Sequence, residues 1–106
     1  MQKDVIFSEK DGRLIAYIQC DVDHHTARSM REKIDAMIFD SRTKCLVLDF
    51  TRVEFMDSSG LGLILGRVER AQTLGAVVEL TGLSPTLKKL LSISGIERIH
   101  GLSMKV

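Results

Sequence analysis

The 106-residue chain has no tryptophan, a single proline and only two cysteines, Cys20 and Cys45. Two cysteines do not make the disulfide framework of a small secreted domain, so we expect free thiols in a reducing cytosol. The longest apolar runs, such as residues 61–65, are far shorter than the roughly 20 residues that a bilayer-spanning helix needs, and the first residues show no signal-peptide pattern. These absences predict a cytoplasmic protein that does not enter a membrane.

A strong charge of one sign is also missing. Fifteen Lys and Arg residues stand against fourteen Asp and Glu residues, a formal net charge of +1, which leaves no electrostatic footprint for nucleic acid. Hydrophobic residues make up 44% of the chain and charged residues 27%, which is an ordinary globular balance and argues against disorder. Because the length is that of one domain and no linker interrupts it, a single domain over residues 1–106 is predicted.

Strand-like and helix-like segments alternate along the chain. Strands are predicted at residues 4–8, 14–20, 45–50, 76–80 and 98–100. Asp11-Gly12 between the first two strands indicates a hairpin. The order β-β-α-β-α-β-α-β predicts an α/β fold, a small domain with a mixed, mainly parallel sheet and helices packed on it.

Three helices are predicted from apolar stripes and end signals. The first is capped by Asp23 or Thr26, and its stripe is Ala27, Met30, Ile34, Met37 and Ile38. The second follows Ser58 and ends at Gly75, with the stripe Leu61, Ile64, Leu65, Val68 and Ala71. The third runs from Ser84-Pro85 to Gly95, with the stripe Leu87, Leu90 and Leu91.

The segment at residues 55–67, Phe-Met-Asp-Ser-Ser-Gly-Leu-Gly-Leu-Ile-Leu-Gly-Arg, lies between a buried strand and the second helix. Asp57 and the hydroxyls of Ser58 and Ser59 fall at the helix N-terminus, with Ser58 at the cap. Free backbone N–H groups and a partial positive charge favour a phosphate there, either as a ligand or covalently on a serine.

Three glycines within this segment need an explanation. Gly60 fits the turn into the helix, but Gly62 and Gly66 lie inside it and each costs roughly 1 kcal/mol relative to alanine. With Ser59, Leu63 and Arg70 they are predicted to lie opposite the apolar stripe. A smooth outer face with an exposed leucine is typical of a docking surface, and harmless surface glycines are the alternative.

Residues 55–62, together with Asp23-His24-His25-Thr26, resemble the STAS domain of anti-sigma factor antagonists, close to the sporulation type. The resemblance runs from about residue 4 to residue 100 and includes the order of elements. It implies a regulator that is not an enzyme and needs no cofactor. In its unphosphorylated form such a protein binds an anti-sigma factor that is also a serine kinase, and so releases the sigma factor. The kinase then phosphorylates the first serine of the motif, Ser58 here, and a phosphatase reverses this.

The expected partner surface combines two parts. The resemblance implies the loop Asp23, His24, His25 and Thr26, which lies beside the phosphorylation site in the family. The motif and the predicted glycine face add the rest: Asp57, Ser59, Gly60, Gly62, Leu63, Gly66 and Arg70.

Two departures from the family pattern affect these expectations. Cys20-Asp21 stands where sporulation members usually have Gly-Glu, so the carboxylate is kept in kind, the turn glycine is lost, and the path of that loop is open. The chain also stops at Val106, where the family commonly adds a final helix. We expect a missing or shortened helix to expose one sheet face or edge.

Other readings of the same residues have weaker support. Asp21, Asp23, His24 and His25 could ligate a metal, but adjacent histidines on a helix point about 100° apart and rarely share one ion, so no metal site is expected. The alternative function is a small nucleotide-binding regulatory domain. In that reading Gly60, Gly62 and Gly66 surround a phosphate and Glu79 binds a ribose, although the spacing is not G-x-G-x-x-G and no P-loop lysine is present. No G-x-S-x-G elbow supports a hydrolase.

Overall fold

In residues 3–105, which the computed structural model describes, five strands form one sheet in the order β1-β2-β3-β4-β5. The strands are β1 Val5–Lys10, β2 Arg13–Ile18, β3 Cys45–Asp49, β4 Val77–Thr81 and β5 Leu102–Met104. β1 pairs with β2 antiparallel, and every later pair is parallel. The predicted mixed, mainly parallel α/β sheet is therefore confirmed.

The predicted hairpin joins β1 to β2. Lys10 pairs with Arg13, so only Asp11 and Gly12 form the loop, and both have positive φ, 53° and 78°. This is the backbone of a two-residue hairpin turn in which both central residues are left-handed, and an Asp-Gly pair tolerates that conformation at low cost.

Three helices, α1 His24–Ser41, α2 Ser58–Thr73 and α3 Pro85–Ser94, pack against one face of the sheet. The sheet side of the core is Leu14, Ala16, Ile18, Leu46, Leu48, Val78 and Leu80. Asp23 caps α1 and Ser84 caps α3, with Pro85 in the first turn, as predicted. None of these helices, within the described residues, has the length and apolar character to cross a bilayer.

The cap of α2 differs from the prediction. Asp57, not Ser58, is the N-cap, because its carboxylate accepts a hydrogen bond from the Ser59 N–H at 2.8 Å. Ser58 is the first residue of the helix. A carboxylate immediately before two serines competes well for this position, since Asp and Ser are about equally good caps.

The rotation of α2 also differs from the prediction. Leu65, expected in the buried stripe, is 38% exposed, whereas Leu63, expected on the outer face, is 4% exposed. The buried face is Gly60, Leu63, Ile64, Arg67, Val68 and Ala71. Gly60 and Arg67 are core residues here, and a prediction made only from the spacing of large apolar residues does not include them.

The last strand is wrongly predicted at residues 98–100. A 3₁₀ helix at Ile96–Arg98 ends there, residues 99–101 form a turn, and the strand forms later, at Leu102–Met104. Ile96 is buried and anchors the turn, and Gly101, with φ of 90°, leads the chain into the sheet.

The sheet face opposite the helices carries a mixture of polar and apolar side chains. Arg13 on β2 donates to the Glu79 carboxylate on β4 at 2.7 Å, across the intervening strand. Ile15, Tyr17 and Val47 lie in the same shallow depression of 240 Å³. No helix among residues 3–105 packs on this face, so α1 and α2, with the predicted site residues at their starts, lie on the other side of the sheet.

Candidate partner-binding site

The two predicted recognition segments lie side by side at one edge of the sheet. One follows β2 and leads into α1, and the other follows β3 and leads into α2. Because β2 and β3 are parallel neighbours, their carboxyl ends meet at the same edge, where α/β folds usually form binding sites. Residues more than 30 positions apart in the sequence are therefore in contact.

A short parallel bridge joins the two loops. Val22 pairs with Met56: the Val22 N–H donates to the Phe55 carbonyl at 3.2 Å, and the Asp57 N–H donates to the Val22 carbonyl at 3.1 Å. Val22 and Met56 are both buried. The bridge places the start of α1 and the start of α2 in a fixed relation.

Asp21 reinforces this connection. Its Oδ1 accepts hydrogen bonds from the backbone N–H groups of Glu54 at 3.0 Å and Phe55 at 3.1 Å. Asp21 is the carboxylate that stands where the family usually has glutamate, and its tethering role was not among the predicted site functions. Cys20 before it does not have positive φ, so this loop does not require the glycine that the family places there.

The loop Asp23–Thr26 that the resemblance implies is, in the structure, the N-cap and first turn of α1, and a reciprocal cap holds it. The Asp23 carboxylate accepts from the N–H groups of His25 and Thr26, each at 2.9 Å, and the Thr26 hydroxyl accepts from the Asp23 N–H at 3.0 Å. The hydrogen bond from the Thr26 N–H is the largest influence on the Asp23 carboxyl and, with the others, holds its pKa below the usual value. Asp23 thus stays ionised while His24 and His25 remain exposed.

Ser58 is exposed beside this loop, at the first position of α2. Ser59 is half-buried and lies between α1 and α2, on the same side as Gly62. Phe55 adds an aromatic ring that is 58% exposed next to the loop bridge, and this residue was not predicted as part of the site. An exposed hydroxyl with an exposed aromatic nearby offers a partner both a reactive group and apolar area.

Gly60 is required by packing at this helix start. A Cβ at position 60 would collide with the Met56 side chain, which is itself buried under the loop. Gly62 and Gly66 differ, because a Cβ at either position would meet nothing within 4 Å. The predicted smooth outer face is therefore present at Gly62 and Gly66.

The prediction of an exposed leucine on that face is wrong for Leu63, whose side chain contributes to the floor of a groove instead of projecting to a partner. Arg70, in contrast, is exposed as predicted. The exposed part of the predicted partner surface is thus the start of α1 at Asp23–Thr26, the start of α2, and the glycine side of α2 down to Arg70.

Neither cysteine is set up as a reactive thiol. Cys20 and Cys45 are free and half-buried. Burial raises the pKa of the Cys20 thiol, and the carboxylates of Asp4, Asp21 and Asp23 raise it further. Among residues 3–105, no group of three or more His, Cys, Asp and Glu side chains comes together in an arrangement that could hold a metal ion.

Comparisons with known proteins show the family and the fold of the chain. The family model of the STAS domain matches residues 4–106. Over 88 residues the chain is 35% identical to an anti-sigma F factor antagonist of Paenibacillus polymyxa. These aligned residues make up 83% of this chain and 75% of that protein. The structure of the anti-sigma factor antagonist SpoIIAA in its unphosphorylated form superposes with a TM-score of 0.73 at 27% identity, over 96% of this chain and 87% of that one. The structure of the Bacillus cell fate determinant SpoIIAA in its phosphorylated form superposes with a TM-score of 0.71 at 27% identity, over 96% of this chain and 91% of that one.

Proposed function

Because this chain belongs to the STAS domain family, we propose that it is an anti-sigma factor antagonist of the sporulation type. In this proposal its unphosphorylated form binds an anti-sigma factor and thereby releases a sigma factor. The relative from Paenibacillus polymyxa, an anti-sigma F factor antagonist, supports this assignment. The observation that carries it is the exposed Ser58 at the first position of α2, next to the segment Asp23–Thr26, which its capping hydrogen bonds hold at the start of α1.

Ser58 is the proposed phosphoacceptor. The anti-sigma factor is proposed to act as a serine kinase that transfers a phosphoryl group from ATP to the Ser58 hydroxyl, and a phosphatase removes it. Ser58 is exposed, whereas Ser59 is half-buried between two helices, where a kinase would reach its hydroxyl less easily. The protein itself supplies the substrate hydroxyl and the docking surface, and catalysis belongs to the partner.

The effect of the phosphate is proposed to be local. A phosphoserine carries about −1.5 to −2 charges at pH 7, and at a helix N-terminus an anion is favoured by up to about 1 kcal/mol. Asp57 opposes it, but solvent and salt screen repulsion at an exposed position. The fold of this chain resembles unphosphorylated and phosphorylated SpoIIAA almost equally, with TM-scores of 0.73 and 0.71, which supports a switch without refolding.

An interface shaped for a neutral hydroxyl would not tolerate the same charge. Burying an unpaired charge at an interface, or placing it near a like charge, costs several kcal/mol, and each 1.4 kcal/mol is a tenfold change in affinity. Phosphorylation would therefore release the anti-sigma factor while the domain stays folded.

Phosphopeptide mapping tests the site directly. The protein is incubated with ATP and the anti-sigma F factor of its own organism, and Ser58→Ala is compared with Ser59→Ala. We expect phosphate on Ser58, transfer abolished by Ser58→Ala and retained by Ser59→Ala. Phosphate mainly on Ser59, or undiminished transfer to Ser58→Ala, would contradict the assignment.

A charge mimic tests the switch. Ser58→Asp should bind the anti-sigma factor at least tenfold more weakly in calorimetry and stay as folded as the wild type. Thr86→Asp is the matched control, because Thr86 is exposed in the first turn of α3, outside the proposed partner surface. In heteronuclear NMR, shifts confined to the surroundings of Ser58 support a local switch. Shifts across the sheet and all three helices would show a conformational one.

The nucleotide-binding alternative is less well supported by the geometry. Two of the amides at the start of α2 that would hold a phosphate are already paired: the Ser59 N–H with the Asp57 carboxylate at 2.8 Å, and the Gly60 N–H with the Asp57 carbonyl at 2.9 Å. Glu79, the candidate ribose ligand, is paired with Arg13 on the sheet face that lies away from α2.

A further inference from the structure

A groove of 420 Å³ runs between the first turns of α1 and α2. Its lining residues are His24, Ala27, Arg28, Arg31, Ser59, Gly62 and Leu63. The two helices run in the same direction, because His24 lies near Ser59 and Asp35, further along α1, lies near Arg67, further along α2. The groove has arginines on its α1 wall, a glycine on its α2 wall, and no carboxylate among its lining residues.

Positive charge is in excess along this seam between the helices. Asp35 is shared by two arginines: its Oδ1 lies 3.0 Å from Arg67 Nε, and its Oδ2 lies 3.8 Å from Arg70 Nη2. Arg67 is only 5% exposed, and neither its Nε nor its Nη1 has a hydrogen-bond partner, so the contact with Asp35 is an ion pair without hydrogen-bond geometry. Burial lowers the pKa of Arg67, and the neighbouring cations Arg31 and Arg70 lower it further.

Within residues 3–105, the only other carboxylate paired with an arginine of the seam is Glu32. It lies 3.8 Å from Arg28, and both side chains are largely exposed, so that pair is weak. Beyond the helix starts, four arginines, Arg28, Arg31, Arg67 and Arg70, thus stand against the two carboxylates paired with them, Glu32 and Asp35. Asp23 and Asp57 add a carboxylate at the N-cap of each helix, so the positive charge is concentrated in the part of the seam that follows the helix starts.

We propose that the α1–α2 groove binds an acidic segment of the anti-sigma partner, with Arg28 and Arg31 on one wall and Arg70 further along the other. This inference rests on the proposed function and specifies the chemistry of the partner. Gly62 leaves its part of the α2 wall without a side chain, and Gly66 does the same one turn further along α2, which lets the partner's backbone approach closely and brings its carboxylates within reach of the arginines.

The position of the groove adds a second effect to phosphorylation. Ser58 precedes Ser59, which lines the groove at its entrance. A phosphate of about −1.5 to −2 charges there would add to the Asp57 carboxylate and oppose the positive charge of Arg28 and Arg31 in the groove. The modified protein would therefore attract an acidic segment less strongly, in addition to presenting a charge where the interface expects a hydroxyl.

Association kinetics at different salt concentrations test this proposal. Stopped-flow rates with the anti-sigma F factor of the same organism are measured from 25 to 250 mM NaCl for the wild type and for Arg28→Gln/Arg31→Gln. The control is Lys88→Gln/Lys89→Gln, which removes the same charge from exposed positions on α3. We expect the wild-type rate to fall about tenfold over this range, as is usual for steered association. The groove variant should associate several-fold more slowly at 25 mM and show a shallower salt dependence.

The outcomes separate this inference from the proposed function. If the groove variant retains the wild-type association rate and salt dependence, the groove does not bind an acidic segment. The same conclusion follows if the α3 control loses as much of the association rate as the groove variant. In either case the proposed antagonist function stands. If the wild type neither binds the anti-sigma factor nor is phosphorylated by it, the proposed function itself is wrong. Circular dichroism checks that the variants are folded.

Discussion

Replacing Gly62 and Gly66 with alanine should stabilise the protein and weaken its binding to the anti-sigma factor. Both glycines lie inside α2, where glycine costs about 1 kcal/mol relative to alanine. A Cβ at either position meets nothing within 4 Å, so no clash offsets the gain. Each substitution should therefore raise the free energy of unfolding by about 1 kcal/mol and the melting temperature by about 4–8 °C.

The loss of binding follows from the same open space. If a partner packs closely on this face, each added methyl group overpacks the interface, which typically costs 1–3 kcal/mol. That corresponds to a loss of roughly fivefold to 150-fold in affinity. Thermal and urea unfolding measure the stability, and calorimetry with the anti-sigma factor measures the affinity, on the same preparations. Gly66→Glu extends the series, because added bulk and charge should abolish binding while the circular dichroism spectrum stays unchanged.

Gly60→Ala is the matched control, because the same substitution at position 60 collides with the Met56 side chain. It should lower stability or leave it unchanged. Alanines at positions 62 and 66 that stabilise the fold and leave binding unaltered would refute the argument that these glycines are kept for docking. A loss of stability in those two variants would refute the packing argument itself.

Two further predictions concern the fold. Leu63→Ala should lower the free energy of unfolding by about 2–4 kcal/mol and Leu65→Ala by less than about 1 kcal/mol, because only Leu63 is buried; equal losses in urea unfolding would contradict the rotation of α2. Burial alone would raise the pKa of Asp4, but hydrogen bonds with Lys33, 2.7 Å away, and Ser29 outweigh it and lower that pKa. The pair therefore contributes stability above about pH 4 that is lost as the pH falls through the lowered pKa. Lys33→Met should be less stable than the wild type at pH 7 and equal to it near pH 2, and a difference that is constant with pH would exclude this linkage.

Local signals were sufficient for most of the fold. The hairpin at Asp11-Gly12 and the caps at Asp23 and Ser84 depend on residues within a few positions of each other, and the structure confirms all three. The rotation of α2 was mispredicted because Arg67 is buried by pairing with Asp35 on α1, a contact across 32 positions that no apolar pattern contains. The position of the last strand was mispredicted for a related reason, because a strand of three residues is too short to show the alternation of apolar and polar residues.

The site shows the same division between local and distant causes. The motif around Ser58 and the loop at Asp23 were recognisable, because each is a short run of residues with its own capping chemistry. The bonds from the backbone near Phe55 to Asp21 were not, because they join residues 34 positions apart. The basic groove was also missed, since it exists only when α1 and α2 lie side by side.

The bridge between Val22 and Met56 has a consequence for how recognition occurs. Both recognition segments include the connection between a strand and the start of a helix, and such connections ordinarily lose conformational entropy when a partner orders them. Here the Val22 and Asp57 amides are already bonded across the two loops, and the side chains of Val22 and Met56 are buried beneath them. These amide hydrogens should therefore exchange slowly with solvent in the free protein, in contrast to those of ordinary loops. A partner therefore binds a surface that is already ordered, and little of the interaction free energy is needed to order it. The difference in affinity between the hydroxyl and the phosphate forms then comes directly from the contacts at Ser58.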